Sequence, residues 1–151
     1  MADNYLHSDI TSQIIKAFFK VYNKLRYGFL EKVYQNALVI ELRKMGLECI
    51  PNFPVRVYYD NYEVGFYISD IIVNKCVIVE NKAAAALCEE NEAQLVNYLK
   101  ATEIEVGLLL NFGNKPSSKE KYFRMSSKII NNHNHHKNQR PLPNQPKLDY
   151  F

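Results

Sequence analysis

Asp70-Ile71-Ile72-Val73-Asn74-Lys75-Cys76-Val77-Ile78-Val79-Glu80-Asn81-Lys82 is the stretch on which the fold and the chemistry of this 151-residue chain turn. β-Branched residues fill both arms and Asn74-Lys75-Cys76 interrupts them, so it reads as a hairpin of two short strands, Asp70 to Val73 and Val77 to Glu80. The register decides what the polar residues at its ends can do. A two-residue turn at Asn74-Lys75 pairs Asp70 with Val79 and sets Asp70 and Glu80 on opposite faces. A three-residue turn pairs Asp70 with Glu80, and alternation then gathers Asp70, Ile72, Ile78, Glu80 and Lys82 on one face. The three-residue turn is the register expected here.

Two carboxylates on one face raise each other's pKa, and desolvating them is costly unless a cation or a substrate compensates. A divalent metal resolves the conflict. With no His or Cys beside the acids, hard oxygen ligands favour Mg²⁺ or Mn²⁺ over Zn²⁺, and Mg²⁺ takes one or two protein carboxylates with water and substrate phosphate. Lys82 is then placed to orient an attacking water and to offset charge on a phosphate, which makes phosphodiester hydrolysis the reaction class. The same Asp-x₉-Glu-x-Lys spacing also suits a plain ion pair, with Lys82 neutralising Glu80 and Asp70 merely starting a strand.

Two helices supply the remaining candidates. Helical periodicity runs from Glu31 to Arg43, with Gly28 expected to begin the helix and Gly46 to stop it. Glu31 falls in the first turn, where the positive end of the helix dipole favours a carboxylate, and that alone is an ordinary reason for a Glu. Tyr34 lies three residues on and faces the same way, either packing or meeting substrate. Glu89 to Thr102 reads as a second helix, from which Gln94 and Tyr98 project together at i, i+4. An amide and a phenol can hydrogen-bond a phosphate or stack on a base, and the same pair can equally cap a core. The small residues Ala83 to Ala86 either admit close approach of nucleic acid or begin that helix.

Gly28-Phe29-Leu30-Glu31-Lys32-Val33-Tyr34 resembles the motif that names the GxxExxY proteins, a group placed in the PD-(D/E)XK nuclease superfamily. The similarity continues through Asp70, Val77 to Ala83, Glu92-Ala93-Gln94-Leu95 with Tyr98, and Leu109-Leu110-Asn111-Phe112-Gly113, so it covers about residues 8 to 125. It implies a nuclease-like α/β core, a mixed β-sheet flanked by helices. Asp70 and Glu80 would be the metal-binding acids, Lys82 the superfamily lysine and Glu31 the helix acid. Gln94 and Tyr98 look like the Gln-x-x-x-Tyr helix motif and, with Tyr34, would contact substrate. The chain departs from relatives at Ile68, where Arg is frequent, and at Asn81, where an apolar residue is usual. Loss of such an Arg would weaken phosphate affinity.

The rest of the chain bounds the class. A hydrophobic content of 47% over this length suits one domain, residues 1–130, followed by a polar tail, 131–151, expected to be disordered. His133, His135 and His136 in that tail suit adventitious metal binding better than catalysis. No apolar run is long enough to span a bilayer, and Met1 to Tyr5 lack signal-peptide character, so a cytoplasmic protein is expected. Cys49, Cys76 and Cys88 show neither disulfide nor zinc spacing and read as free thiols. Ser8 to Arg26 is an amphipathic helix with Ile14, Phe18, Val21 and Leu25 on its stripe. Its row Lys16, Lys20, Lys24 either tracks a phosphate backbone or is a solvated face. Cys49 to Tyr59, Glu63 to Ser69, Val106 to Asn111 and Lys121 to Met125 read as strands, with a turn at Asp60-Asn61.

A net charge of +3 permits nucleic-acid binding without demonstrating it, and the basic region Lys115, Lys119, Lys121, Arg124 and Lys128 either flanks the site or does nothing specific. The expectation is a Mg²⁺- or Mn²⁺-dependent nuclease acting on DNA. The alternative is a binding module for nucleic acid or protein that keeps the nuclease fold without turnover. A protein partner or a homodimer fits either reading, and no residue in the sequence marks a dimer seam.

Overall fold

The computed structural model describes residues 6–131; the N-terminal Met1 to Tyr5 and the polar tail with His133, His135 and His136 lie outside the described residues. The order is α1 (Ser8–Leu25), α2 (Glu31–Lys44), β1 (Cys49–Tyr59), β2 (Tyr62–Val73), β3 (Val77–Lys82), α3 (Glu89–Lys100), β4 (Val106–Asn111), β5 (Ser117–Tyr122) and α4 (Met125–Asn131). The strands form a five-stranded sheet in the order β1-β2-β3-β4-β5. Its pairings are antiparallel except β3 with β4, which run parallel and are joined by α3. This is the mixed, helix-flanked sheet expected from the sequence.

Periodicity explains which face each element buries. The α1 stripe of Ile14, Phe18 and Val21 and the α2 residues Tyr34, Leu38 and Leu42 pack on Ile71, Val73, Val77, Val79, Leu108 and Leu110. On the opposite face Leu95, Tyr98 and Leu99 of α3 cover Ile72, Ile78 and Leu109. Because helices cover both sides, β3 and β4 are almost entirely buried and read as continuous apolar runs rather than alternating ones.

The β2–β3 register matches Ile71 with Val79, Ile72 with Ile78 and Val73 with Val77, which sets Asp70 opposite Glu80. Asn74-Lys75-Cys76 is the three-residue turn, with Asn74 and Lys75 at φ 49° and 56° and the Cys76 N–H donating to the Val73 carbonyl at 3.0 Å. The turn at Asp60-Asn61 is likewise left-handed at both residues.

Several boundaries differ from the sequence expectation. β2 is one unbroken strand rather than two, because its long partner β1 carries the ladder past Asp70. β1 accommodates Pro51 and Pro54 because it is the sheet edge, where a missing N–H costs no partner. α2 begins at Glu31, not Gly28, which sits in the preceding turn at φ 116°. α3 begins after the Ala-rich stretch, capped where the Cys88 N–H donates to Asn91 Oδ1 at 3.1 Å. β5 starts at Ser117 rather than Lys121, and Met125 opens a helix. Cys49, Cys76 and Cys88 are free thiols. No described helix is long and apolar enough to cross a membrane.

Candidate active site

The β2–β3 ladder ends at Ile71 and Val79, and beyond it side chains take over the bonding. The Asp70 N–H donates to Glu80 Oε1 at 2.9 Å, and the Asn81 N–H donates to Asp70 Oδ2 at 2.7 Å. Each acid thus takes a main-chain donor from the strand opposite, and the two fill the fork where the strands part. No described residue donates a hydrogen bond to the second oxygen of either carboxylate.

A slip in the alternation prepares this fork. Ile50 and Phe53 of β1 both pack on the α3 side, as does Ile72 of β2, while the ring of Tyr67 lies 5.7 Å from that of Tyr98 in α3. Odd separations along a strand cannot share a face under strict alternation. The phase therefore shifts in both strands, within the segments that hold Asn52 and Asp70. These two lie opposite each other, between the pairs Pro51–Ile71 and Phe53–Ser69, and Asn52 takes φ 55°. Asn tolerates this left-handed conformation better than most residues.

Asn52 also anchors α2 to the site. Its Oδ1 accepts Lys32 Nζ at 2.7 Å and Gln35 Nε2 at 3.0 Å, and Gln35 Nε2 also donates to the Asp70 carbonyl at 2.9 Å. Gln35 is buried, so this amide fixes the main chain of Asp70 from the helix side. Sequence reasoning missed both residues. The available signals were a Gln beside the Tyr34 position of α2 and an Asn between two prolines.

Glu31 is exposed at the first position of α2, and its charge acts on both Asp70 and Glu80. Burial pushes the Asp70 carboxyl up, opposed by the Asn81 N–H and then by Lys82. Burial, then the charge of Asp70, pushes Glu80 up to about 8. Lys82 projects from the far end of β3, where its Nζ donates to Gln94 Oε1 at 3.1 Å, and Gln94 Nε2 donates to the Tyr98 hydroxyl at 2.9 Å. Tyr98 is buried, and burial followed by the Glu80 charge pushes its phenol up to about 12. The structure thus joins Lys82, Gln94 and Tyr98 in one chain of contacts beside the acid fork.

Tyr34 is placed elsewhere. Its side chain is fully buried, stacked on Phe112 with centroids 4.5 Å apart, and its hydroxyl donates to the Arg26 carbonyl at 2.5 Å and accepts the Phe29 N–H at 3.1 Å. The expected substrate contact is corrected to a packing role, since no surface of this ring is left to meet a ligand. Tyr34 latches the turn that Gly28 makes possible, and the latched turn presents Glu31 at the helix start.

The β4 end completes the frame. Asn111 Oδ1 accepts the N–H groups of Ala84 and Gly113 at 3.0 and 3.1 Å, and its Nδ2 donates to the Ala84 carbonyl at 2.9 Å. The Phe112 N–H donates to the Lys82 carbonyl at 2.8 Å. A Cβ on Gly113 would fall 1.9 Å from the Ala84 oxygen, so only glycine lets these segments meet. Asn81 is fully buried between Glu80 and Lys82, and neither polar atom of its side chain has a hydrogen-bond partner among the described residues. Ile68 is exposed.

Much of the basic surface is already engaged. Lys20, Lys24 and Lys44 lie 2.9, 4.0 and 3.7 Å from the Glu41 carboxylate, which the Lys20 hydrogen bond holds below its usual range. Lys119 and Lys121 pair with Glu92 at 3.2 and 2.6 Å. Lys128 is buried with its ammonium on the carbonyls of Thr102 and Ile104, and burial pulls it down to about 8.

The donor set at the fork suits a hard divalent cation. Two facing carboxylates, both raised by burial and Glu80 also by the charge of Asp70, each with an oxygen not engaged by the described residues, match an ion that keeps water and substrate among its ligands. Among the described residues no group of three or more His, Cys, Asp or Glu side chains forms a closed metal site.

A family model for the PD-(D/E)XK nuclease superfamily matches residues 8–125. No curated protein gives a significant match. A solved structure described as "Crystal structure of SSO0001" is similar at 15% identity with a TM-score of 0.44, over 66% of this chain; the chain spans 54% of that one.

Proposed function

The chain belongs to the PD-(D/E)XK nuclease superfamily, and we propose that it hydrolyses phosphodiester bonds of DNA at the fork between β2 and β3. The observation that carries this reading is the facing pair Asp70 and Glu80, both raised by burial and Glu80 also by Asp70, beside a Lys82 held by Gln94. The turn made by Gly28, presenting Glu31 and latched by Tyr34, supports placing the chain with the GxxExxY proteins.

Asp70 and Glu80 would hold Mg²⁺ or Mn²⁺ through the oxygens not taken by main-chain N–H groups. The cation, when bound, supplies a Lewis acid that lowers the pKa of water and neutralises phosphate charge. Lys82 orients the attacking water and offsets the charge that builds on the phosphate oxygens. The water oxygen forms the new bond to phosphorus as the bond to the leaving oxygen breaks, the water giving up a proton to solvent and the leaving oxygen taking one from it. Gln94 fixes the rotamer of Lys82, and Tyr98 fixes Gln94. Glu31, solvated at the helix start, is an auxiliary acid. Gln35 and Asn52 hold the Asp70 main chain in register with Glu80.

The test is cleavage of labelled single-stranded DNA, double-stranded DNA and RNA with Mg²⁺ or Mn²⁺ by wild type, Asp70→Ala and Lys82→Ala. Cleavage of DNA by wild type, reduced at least about 100-fold in both variants with unchanged thermal melting, is the expected result. Equal cleavage by the variants sinks the assignment. Tight DNA binding without turnover under both metals makes the chain a binding module instead.

A further inference from the structure

α1 and α2 run antiparallel across one turn, and lysines at a regular repeat line the groove between them. One hollow lies among Lys16, Lys20, Lys44 and Glu41, and a second, adjoining it at Glu41, lies among Lys24, Ala37 and Ile40. At about 250 and 160 Å³ both are smaller than the pockets that enclose small molecules, so the groove suits an extended ligand laid along it.

Glu41 is the one acid among the residues that line either hollow. Its carboxylate is buried and lies 2.9 Å from Lys20, 3.7 Å from Lys44 and 4.0 Å from Lys24, while those three lysine side chains stay 53%, 63% and 66% exposed. Lys16 is exposed on the same wall. Four lysines against one carboxylate leave a surplus of three positive charges, and cations gathered in a cleft raise the local potential that draws anions. Ion pairs this exposed are weak, so an incoming anion displaces Glu41 at little cost.

The spacing selects the anion. Lys16, Lys20 and Lys24 recur every four residues of α1, about 6 Å of helix at each step. A row of single charges at that interval matches successive phosphates of an extended nucleic-acid strand rather than one compact anion. The row also starts in the right place. Lys24 is the last residue but one of α1, the turn that follows presents Glu31, and Glu41 lies ten residues beyond Glu31, about 15 Å along α2. From the helix ends beside the acid fork the lysines therefore lead away from it.

We propose that this groove is a second nucleic-acid contact, a track for the phosphate backbone of a strand whose neighbouring segment lies on the fork. The identity of the polyanion rests on the nuclease reading, but the contact does not require cleavage. Lys16 meets phosphate directly, whereas Lys20 and Lys24 exchange Glu41 for phosphate, so Glu41 competes with the strand.

Fluorescence anisotropy of a labelled single-stranded DNA with the full chain, in chelator so that no strand is cut, tests this through the slope of log affinity against log salt. Each phosphate contact contributes about 0.7 to that slope on single strands, so Lys16→Ala with Lys20→Ala and Lys24→Ala is expected to lose about 2 from the wild-type slope and to keep the wild-type circular dichroism. Glu41→Gln, which frees the lysines, is expected to bind about 2- to 5-fold more tightly. Two controls remove charge elsewhere: Asp60→Asn in the β1–β2 turn keeps the wild-type affinity, and Lys75→Asn with Lys100→Gln, both exposed, keeps the wild-type slope. The proposal is overturned by a wild type that does not bind DNA, by a triple variant with an unchanged slope or one that the Lys75 and Lys100 pair matches, or by a Glu41→Gln affinity equal to wild type. A cleavage assay beside it separates the two claims. Binding that depends on the row without cleavage leaves the track and removes the nuclease, and cleavage with a slope indifferent to the row does the reverse.

Discussion

Glu80→Gln is expected to stabilise the metal-free protein at pH 8 while leaving it nearly unchanged at pH 5. The Glu80 carboxyl titrates at about 8 in the fold, raised by burial and then by Asp70, against about 4.3 in an unfolded chain. Between those values the folded state keeps a proton that the unfolded state has lost. Stability therefore falls as pH rises through the window and levels off above about 8. At 1.36 kcal/mol per unit the loss across the window is at most on the order of 5 kcal/mol. Glutamine keeps an oxygen for the Asp70 N–H, now 2.9 Å from Glu80 Oε1, and carries no charge at any pH. Urea denaturation of both proteins in chelator at pH 5, 6.5 and 8 reads the effect, and their difference cancels every titrating group that the two share. The variant should gain roughly 2–4 kcal/mol at pH 8 and less than about 1 kcal/mol at pH 5. A difference that does not grow with pH refutes the claim that Glu80 is held protonated by its surroundings.

Asn81→Val should raise stability by about 1–3 kcal/mol, since it removes a buried amide with no partner among the described residues, and urea midpoints will show it; a loss of stability would mean the amide is satisfied. Gln35→Leu releases the Asp70 carbonyl and Asn52, so divalent-cation affinity by calorimetry should drop about 10- to 100-fold, the range for lost supporting bonds, with the far-ultraviolet spectrum retained. Tyr34→Phe keeps the stack on Phe112 but loses two hydrogen bonds to the Gly28 turn, costing about 1–3 kcal/mol in thermal melting without altering the KM for DNA.

The central hairpin was legible in the sequence because both faces of its arms are buried. A one-residue slip would exchange Ile71, Val73, Val77 and Val79 with Ile72 and Ile78 between two different helix layers, so the apolar pattern specifies the register strongly. β4 was legible for the same reason. β5 was not legible at its start, because Ser-Ser-Lys-Glu-Lys-Tyr is an edge strand with no core-facing apolar period. The slip at Asn52 and Asp70 was also hidden. It depends on the left-handed Asn52 and on the grip of Gln35, and both are tertiary contacts with no local signature. Tyr34 shows the limit most plainly. Its spacing from Glu31 suggested a shared surface, and only the fold reveals that its hydroxyl is committed to Arg26 and Phe29. The acids and Lys82 stood out because they are polar residues at the ends of apolar strands. Their supporting amides did not.

Titration calorimetry of Mn²⁺ into wild type and Asp70→Ala at pH 7, in two buffers of different ionisation enthalpy, addresses the acid fork itself. With Glu80 at about 8, the metal-free pair carries a proton on Glu80 in about nine molecules of ten at pH 7, and a cation must displace it. Wild type is predicted to bind at one site with release of close to one proton, and Asp70→Ala to lose that binding. Binding retained in Asp70→Ala, or binding without proton release, would contradict the assignment of Asp70 and Glu80 as the pair that holds the metal.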